Sequence, residues 1–233
     1  MKVTVIGLGP GGGADLTGRA RAALEACDLI VGYTAYIDLV RADFSQKETL
    51  STGMRREVDR CRAAVEAART GKDVAVVCSG DSGVYGMAGL IYEVAQEYDP
   101  IEIEVVPGIT AACGGAAVLG APLTHDFAVV SLSDLLTPWE KIEKRLTAAA
   151  QADFVLCLYN PASHSRPDYL QRACDILLSD GKDPATVCGT VRNIGRAGEE
   201  AALLTLGELR DTQVDMFTTV FVGNSQTKVI GGK

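Results

Sequence analysis

KVTVIGLGPGGG, Lys2–Gly13, opens the chain with a β-branched, apolar run that stops at a cluster of glycines. A short run of this kind, bounded by turn formers, reads as a strand buried on both faces, as in parallel sheets. The same signature recurs at Asp28–Gly32, Asp73–Cys78 and Ile101–Val106, where Pro107 and Gly108 end the run. Helical patterns fill the intervals. Thr17–Cys27 is rich in Ala, Leu and Arg and follows Asp15, with its cap expected just ahead of it. Glu57–Thr70, EVDRCRAAVEAART, is amphipathic and stops at Gly71, and Gly86–Tyr98 ends before Asp99 and Pro100. Strands alternating with helices predict a mostly parallel sheet with both faces covered.

The second half has a different texture. Thr110–Leu119 is a helix of small residues. Strands are expected at Phe127–Leu132, Phe154–Leu158, Thr186–Thr190 and Thr218–Val222, and helices at Trp139–Ala150, Pro167–Ser179 and Thr205–Arg210. The alternation breaks near residues 108 to 125, at the glycine-rich helix and Pro122. The expectation is an α/β protein of two domains, 1–112 and 113–233, with mostly parallel or mixed sheets.

The composition is that of a folded protein: 233 residues, 47% hydrophobic and 22% charged. A net charge of -8 argues against a general nucleic-acid binder, which needs a basic surface to displace counterions. It leaves room for an anionic small molecule held by a local group of arginines. The seven cysteines show no C-x-x-C spacing and sit mostly in apolar runs, so they read as buried free thiols in a reducing compartment, with no metal site. No apolar stretch is long enough for a membrane span and no secretory leader is recognised. A cytoplasmic protein is expected.

Three glycine-rich segments follow expected strands: GLGPGGG at Gly7–Gly13, CSGDSGVYG at Cys78–Gly86, and VVPGITAACGG at Val105–Gly115. The first contains GxGxxG at Gly7, Gly9 and Gly12, so a nucleotide-binding oxidoreductase has to be considered. It meets two objections. Pro10 interrupts the loop so that the helix waits until about Asp15, and the second strand has no acidic residue at its end, Asp38 being the first carboxylate after it. The other two segments would line the crevice past the carboxyl ends of the strands, where Asp81 contributes a carboxylate and Thr110 a hydroxyl.

In order and spacing, GLGPGG, SGDSGVYG and VVPGITAACGGAA resemble the tetrapyrrole (corrin/porphyrin) methylase family. In the second half, LTHDFAVVSLSDLLTPWEKIEKRL, LYNPASHSRPDYL, NIGRAGE and VDMFTTVFVGNS resemble the members of that family that methylate carbon 17 of a precorrin-3-level tetrapyrrole. The resemblance covers nearly the whole chain. It implies two α/β domains with S-adenosyl-L-methionine in the cleft between them, S-adenosyl-L-homocysteine as product, a homodimer, and methylation coupled to ring contraction. Methylation of a different corrin carbon is the alternative within the family. Carried over by position, the cofactor contacts would be Pro10, Gly80, Asp81, Val84, Thr110, Ala111 and, from the second half, Tyr159. Many members have Gly-Asp-Pro where this chain has Gly80-Asp81-Ser82, which implies a looser turn here.

Ring contraction requires proton transfers, so an acid or base should face the tetrapyrrole. His125 and Asp126 in LTHDF read either as that pair or as a capped turn beside a strand, and His164 reads as a loop residue. Arg55, Arg56, Arg192 and Arg196 are candidates for the substrate's carboxylates. Arg192 and Arg196, in the loop-like TVRNIGRAGEE, are better placed than Arg55 and Arg56, which flank a helix.

Overall fold

The computed structural model describes residues 1–11 and 13–233, so Gly12 of the GxGxxG pattern lies outside the described residues. The chain divides into two compact units, Met1–Ala111 and Ala112–Lys233.

Unit 1 is built on β1 (Lys2–Gly7), β2 (Leu29–Tyr33), β3 (Glu48–Thr52), β4 (Asp73–Cys78) and β5 (Glu102–Val106), all parallel, in the order β3-β2-β4-β1-β5. Between them run α1 (Gly18–Ala26), α2 (Thr34–Val40), α3 (Glu57–Arg69) and α4 (Ala88–Ala95). The period of two along each strand sends alternate side chains to opposite faces. Val3, Val5, Val74 and Val76 pack against α3 and α4, while Ile6, Ile30, Ala75 and Val77 pack against α1 and α2. Both faces are therefore dry, and the apolar runs of the central strands have this cause. α1 is capped by Thr17, whose Oγ1 accepts from the Ala20 amide at 3.1 Å; Asp15 instead ends a short 3-10 turn, Gly13–Asp15.

Unit 2 carries α5 (Ala111–Leu119, which begins at the last residue of unit 1), β6 (Phe127–Ser131), α6 (Trp139–Gln151), β7 (Val155–Tyr159), α7 (Tyr169–Ser179), β8 (Val187–Arg192), β9 (Glu200–Thr205), α8 (Leu206–Arg210) and β10 (Thr218–Val222). Its sheet is mixed, in the order β6-β7-β10-β8-β9, with only the β6–β7 pair parallel. Leu156, Leu158, Val220 and Val222 face α6, α7 and α8. On the other face α5 lies so close that a Cβ on Gly115 would come within 2.8 Å of the Phe221 ring, and one on Gly189 within 2.6 Å of Leu119. That approach explains a helix made of small residues.

The edge strands β3 and β9 have mostly exposed side chains; β3 has no apolar run and that of β9, Ala201–Leu204, opens with two alanines, weak strand formers, so the pattern that finds central strands passes over them. The segment after Thr190 is correspondingly not all loop: Arg192 ends β8 and Glu200 begins β9. No helix among the described residues is long and apolar enough to cross a membrane.

Candidate functional site

In unit 1 the loops that follow β4, β1 and β5 emerge side by side, because these strands are neighbours and all point the same way. Leaving β1, the Leu8 amide donates to the Cys78 carbonyl at 2.8 Å. Gly9 and Gly80 then exchange both backbone hydrogen bonds, at 3.0 and 2.7 Å. Gly9 and Gly80 each have positive φ, 78° and 68°, a conformation that glycine adopts without steric cost. Gly108 closes the arrangement from the third loop. A Cβ there would stand 2.2 Å from the Gly80 carbonyl oxygen and 2.7 Å from the Gly7 carbonyl carbon; one on Gly7 would stand 2.6 Å from the Gly108 nitrogen. Three backbones meet at distances that no side chain permits.

Asp81 fixes the second loop to the third. Its Oδ1 accepts from the Gly83 and Val84 amides at 2.8 and 3.1 Å, and its Oδ2 accepts from the Gly108 amide at 2.9 Å. Ser82 is fully buried and its hydroxyl donates to the Val106 carbonyl at 3.0 Å. That bond ties the turn to β5 where the resemblance implied a looser loop: a hydroxyl anchor takes the place of a proline ring. Around these anchors Val84 is exposed, Asp81 and Thr110 are half-buried, and Pro10 is buried. The result is a backbone-rich sheet edge whose three loops are locked to one another. The first α-helix after β1 begins only at Gly18, beyond the 3-10 turn Gly13–Asp15, so among the described residues no α-helix N-terminus meets the glycines as a dinucleotide fingerprint requires.

In unit 2 the carboxyl ends of β6, β7 and β8 share one edge, since β7 and β8 are both antiparallel to the β10 between them. Tyr159, Arg192 and Arg196 all belong to this edge. The Tyr159 hydroxyl accepts from the Ala112 amide at 2.6 Å, satisfying one of the free donors in the first turn of α5. Arg192 donates to Asp215 at 2.8 Å and lies 3.8 Å from Glu200. Burial works against the charge on Asp215, but hydrogen bonds from Arg192, Thr218 and the Phe217 amide outweigh it and hold the carboxyl below its usual range. Arg192 thus already has its counter-charge within its own unit.

His125 and Asp126 are placed elsewhere. They precede β6 at its amino end, where the Asp126 carbonyl accepts from the Val155 amide at 3.1 Å. A strand length, about 17 Å at roughly 3.3 Å per residue, separates that end from the edge carrying Tyr159. His125 lines a cavity of about 600 Å³ formed with the start of β8, Phe221 and the segment 225–230. The structure thus places His125 and Asp126 together at the end of β6 opposite the edge that carries Tyr159.

One residue escaped the sequence reading. Arg60, in the first turn of α3, is 4% exposed. It falls at i-1, i-4, i-5 and i-8 from Cys61, Ala64, Val65 and Ala68, which form the buried face of the helix, and this spacing was the available signal.

Residues 2–210 match the profile of the Tetrapyrrole (Corrin/Porphyrin) Methylases. The chain is 49% identical over 231 residues to a probable cobalt-factor III C(17)-methyltransferase of Salmonella typhimurium, covering 99% of this chain and 95% of that protein. A crystal structure of the methyltransferase CobJ superposes with a TM-score of 0.90 at 38% identity, covering 99% of this chain and 97% of that one. A uroporphyrin-III C-methyl transferase from Thermus thermophilus, solved with S-adenyl homocysteine, shares the fold with a TM-score of 0.78 at 21% identity, covering 96% and 97% of the two chains.

Proposed function

The chain belongs to the tetrapyrrole (corrin/porphyrin) methylase family and is a methyltransferase, and from that premise we propose that it methylates carbon 17 of a precorrin-3-level tetrapyrrole in cobalamin biosynthesis, using S-adenosyl-L-methionine. The substrate in this reading is cobalt-factor III or precorrin-3B, and the ring contracts in the same reaction. The observation that supports cofactor use most directly is the meeting of Gly7, Gly80 and Gly108, which packs three strand-end loops backbone against backbone and fixes them relative to one another at one sheet edge. Full-length similarity to a probable C(17)-methyltransferase supports the choice of carbon.

S-adenosyl-L-methionine supplies an electrophilic methyl group on a sulfonium. The contribution of the protein is positional. Asp81 and Ser82 hold the second loop against the third, so that Gly80, Val84, Thr110 and Ala111 keep a fixed relation to the cofactor. Tyr159 does the same for the start of α5 in unit 2. Holding an electron-rich ring carbon in line with the methyl group is worth up to about 7–11 kcal/mol without any nucleophilic side chain. The cysteines fit this picture. All seven are free, and burial pushes the thiols of Cys61, Cys157, Cys174 and Cys188 up to about 12, far from thiolate chemistry at neutral pH. Free thiols also accord with a cytoplasmic location, and a homodimer belongs to the same reading.

The test is anaerobic incubation with methyl-labelled S-adenosylmethionine and, side by side, cobalt-factor III and precorrin-3B. The expected product carries one new methyl group at carbon 17 by NMR. Label on another ring carbon, or no transfer to either substrate, would overturn the assignment.

A further inference from the structure

Most arginines of unit 1 are ion-paired. Arg19, Arg21, Arg41, Arg56, Arg62 and Arg69 each have a carboxylate partner, in a chain whose net charge is -8. Arg55 and Arg60 are the exceptions among the described residues, and both belong to the segment that follows β3. The partners of Arg60 are neutral: Nε donates to Thr52 Oγ1 at 2.8 Å, one terminal nitrogen donates to the Gly53 carbonyl at 3.1 Å, and the other lies 3.8 Å from the Met87 sulfur. Its guanidinium also lies 6.0 Å from the centre of the Tyr33 ring. Burying a cation without a counter-charge is unfavourable, because the lost hydration is not offset by an opposite charge. Two good hydrogen bonds use only part of a five-donor fork.

The loop above it is also unusual. Arg55 has φ of 63°, a conformation uncommon for a residue with a side chain and one that clusters at ligand-binding positions. Met54 beside it is 51% exposed. The whole segment leaves the carboxyl end of β3, the same edge as the glycine loops. It lies two strands from β4, about 10 Å at roughly 4.8 Å per strand.

We infer that the β3–α3 segment, with Arg55 on its surface and Arg60 beneath it, is the subsite for carboxylate side chains of the tetrapyrrole. The inference rests on the substrate class proposed above. A macrocycle extending from the glycine loops across β2 would bring its acidic rim to these cations and an apolar face to Met54. Arg60 supplies a preorganised charge whose burial cost an incoming carboxylate offsets, and Arg55 adds an exposed donor. Arg192, preferred on sequence grounds, is already neutralised by Asp215.

The test compares wild type, Arg55→Gln and Arg60→Lys. Cobalt-factor III binding is followed by anaerobic absorbance titration, S-adenosylhomocysteine binding by calorimetry, and folding by thermal melts. Each variant should bind the tetrapyrrole about tenfold or more weakly, the scale of one charge-assisted hydrogen bond, while S-adenosylhomocysteine affinity stays within about twofold. The methyl-esterified tetrapyrrole should bind wild type and Arg55→Gln alike. If Arg60→Lys fails to fold, Arg55→Gln decides alone, because its side chain is exposed. Unchanged tetrapyrrole affinity, or a loss that falls on S-adenosylhomocysteine instead, overturns the inference while leaving the methyltransferase reading intact. Failure of wild type to bind the tetrapyrrole removes that reading and the subsite with it.

Discussion

Replacing Gly108 by alanine tests whether the three-loop meeting is as tight as its geometry indicates. The new Cβ would lie 2.2 Å from the Gly80 carbonyl oxygen and 2.7 Å from the carbonyl carbon of Gly7, all main-chain atoms with no flexible end to swing away. The loops must separate by about an ångström to reach ordinary contact. Gly80 cannot move that far and keep both bonds to Gly9, at 3.0 and 2.7 Å. Overpacking costs typically about 1–3 kcal/mol. Two backbone hydrogen bonds add about 0.5–1.5 kcal/mol each. The sum, about 2–6 kcal/mol, is less than or comparable with the stability of a domain, so a folded but weakened protein is expected. Its melting temperature should fall by about 10 °C or more, at roughly 4–8 °C per kcal/mol for a domain of this size. Affinity for S-adenosylhomocysteine, measured by calorimetry, should drop by up to about 30-fold, the factor for about 2 kcal/mol of strain that binding would have to reverse by drawing the loops back together. Gly89→Ala is the matched control. It lies in α4 with open space where its Cβ would go, so it should keep full affinity and gain up to about 1 kcal/mol of stability. A Gly108→Ala protein that melts and binds like wild type would refute the reasoning.

Asp81→Ala removes the acceptor for three amides. Those of Gly83 and Val84 can turn to water, but that of Gly108 is half-buried. The expected loss is about 1–3 kcal/mol, read as about tenfold weaker S-adenosylhomocysteine binding by calorimetry. Tyr159→Phe strands the Ala112 amide at the start of α5 and should lower the melting temperature by about 5 °C or more in a thermal scan. Alkaline pH should unfold the protein steeply. The thiols of Cys61, Cys157, Cys174 and Cys188 are raised by burial from 9.0 to about 12, and that of Cys78 to about 11. An unfolded thiol releases its proton near pH 9 while the buried one keeps it. Each therefore removes about 1.4 kcal/mol of stability per pH unit between 9 and its folded value. Lys182, lowered by burial, acts in the opposite sense over the range below 10.5, but it is one group against five. Denaturant midpoints measured from pH 8 to 11 should fall steeply above 9, and Cys61→Ala should flatten the decline; a level profile would contradict the burial of these thiols.

The sequence was most legible where burial is complete. β1 and β4 are buried on both faces, and their apolar runs could be read with their ends. β3 and β9 are edges whose side chains largely face solvent: β3 has no apolar run, and the short run of β9 begins with two alanines, which favour strands little. The glycine loops could be read as a site because glycine is needed where backbones meet, and Gly7, Gly80 and Gly108 meet that way. Individual polar roles were less accessible. Whether Arg192 is free depends on Asp215, twenty-three positions along the chain, and Asp81 acts across to Gly108. Arg60 was visible only as a charge on the wrong side of an amphipathic helix. Pairings set by tertiary contact leave no local pattern.

The central claim is that the cofactor is held by the loops that follow β1, β4 and β5. Hydrogen exchange followed by mass spectrometry, with and without saturating S-adenosylhomocysteine, addresses it directly. The account predicts that protection concentrates in peptides covering residues 7–11, 79–86 and 107–112. Protection elsewhere with these three segments unchanged would contradict it.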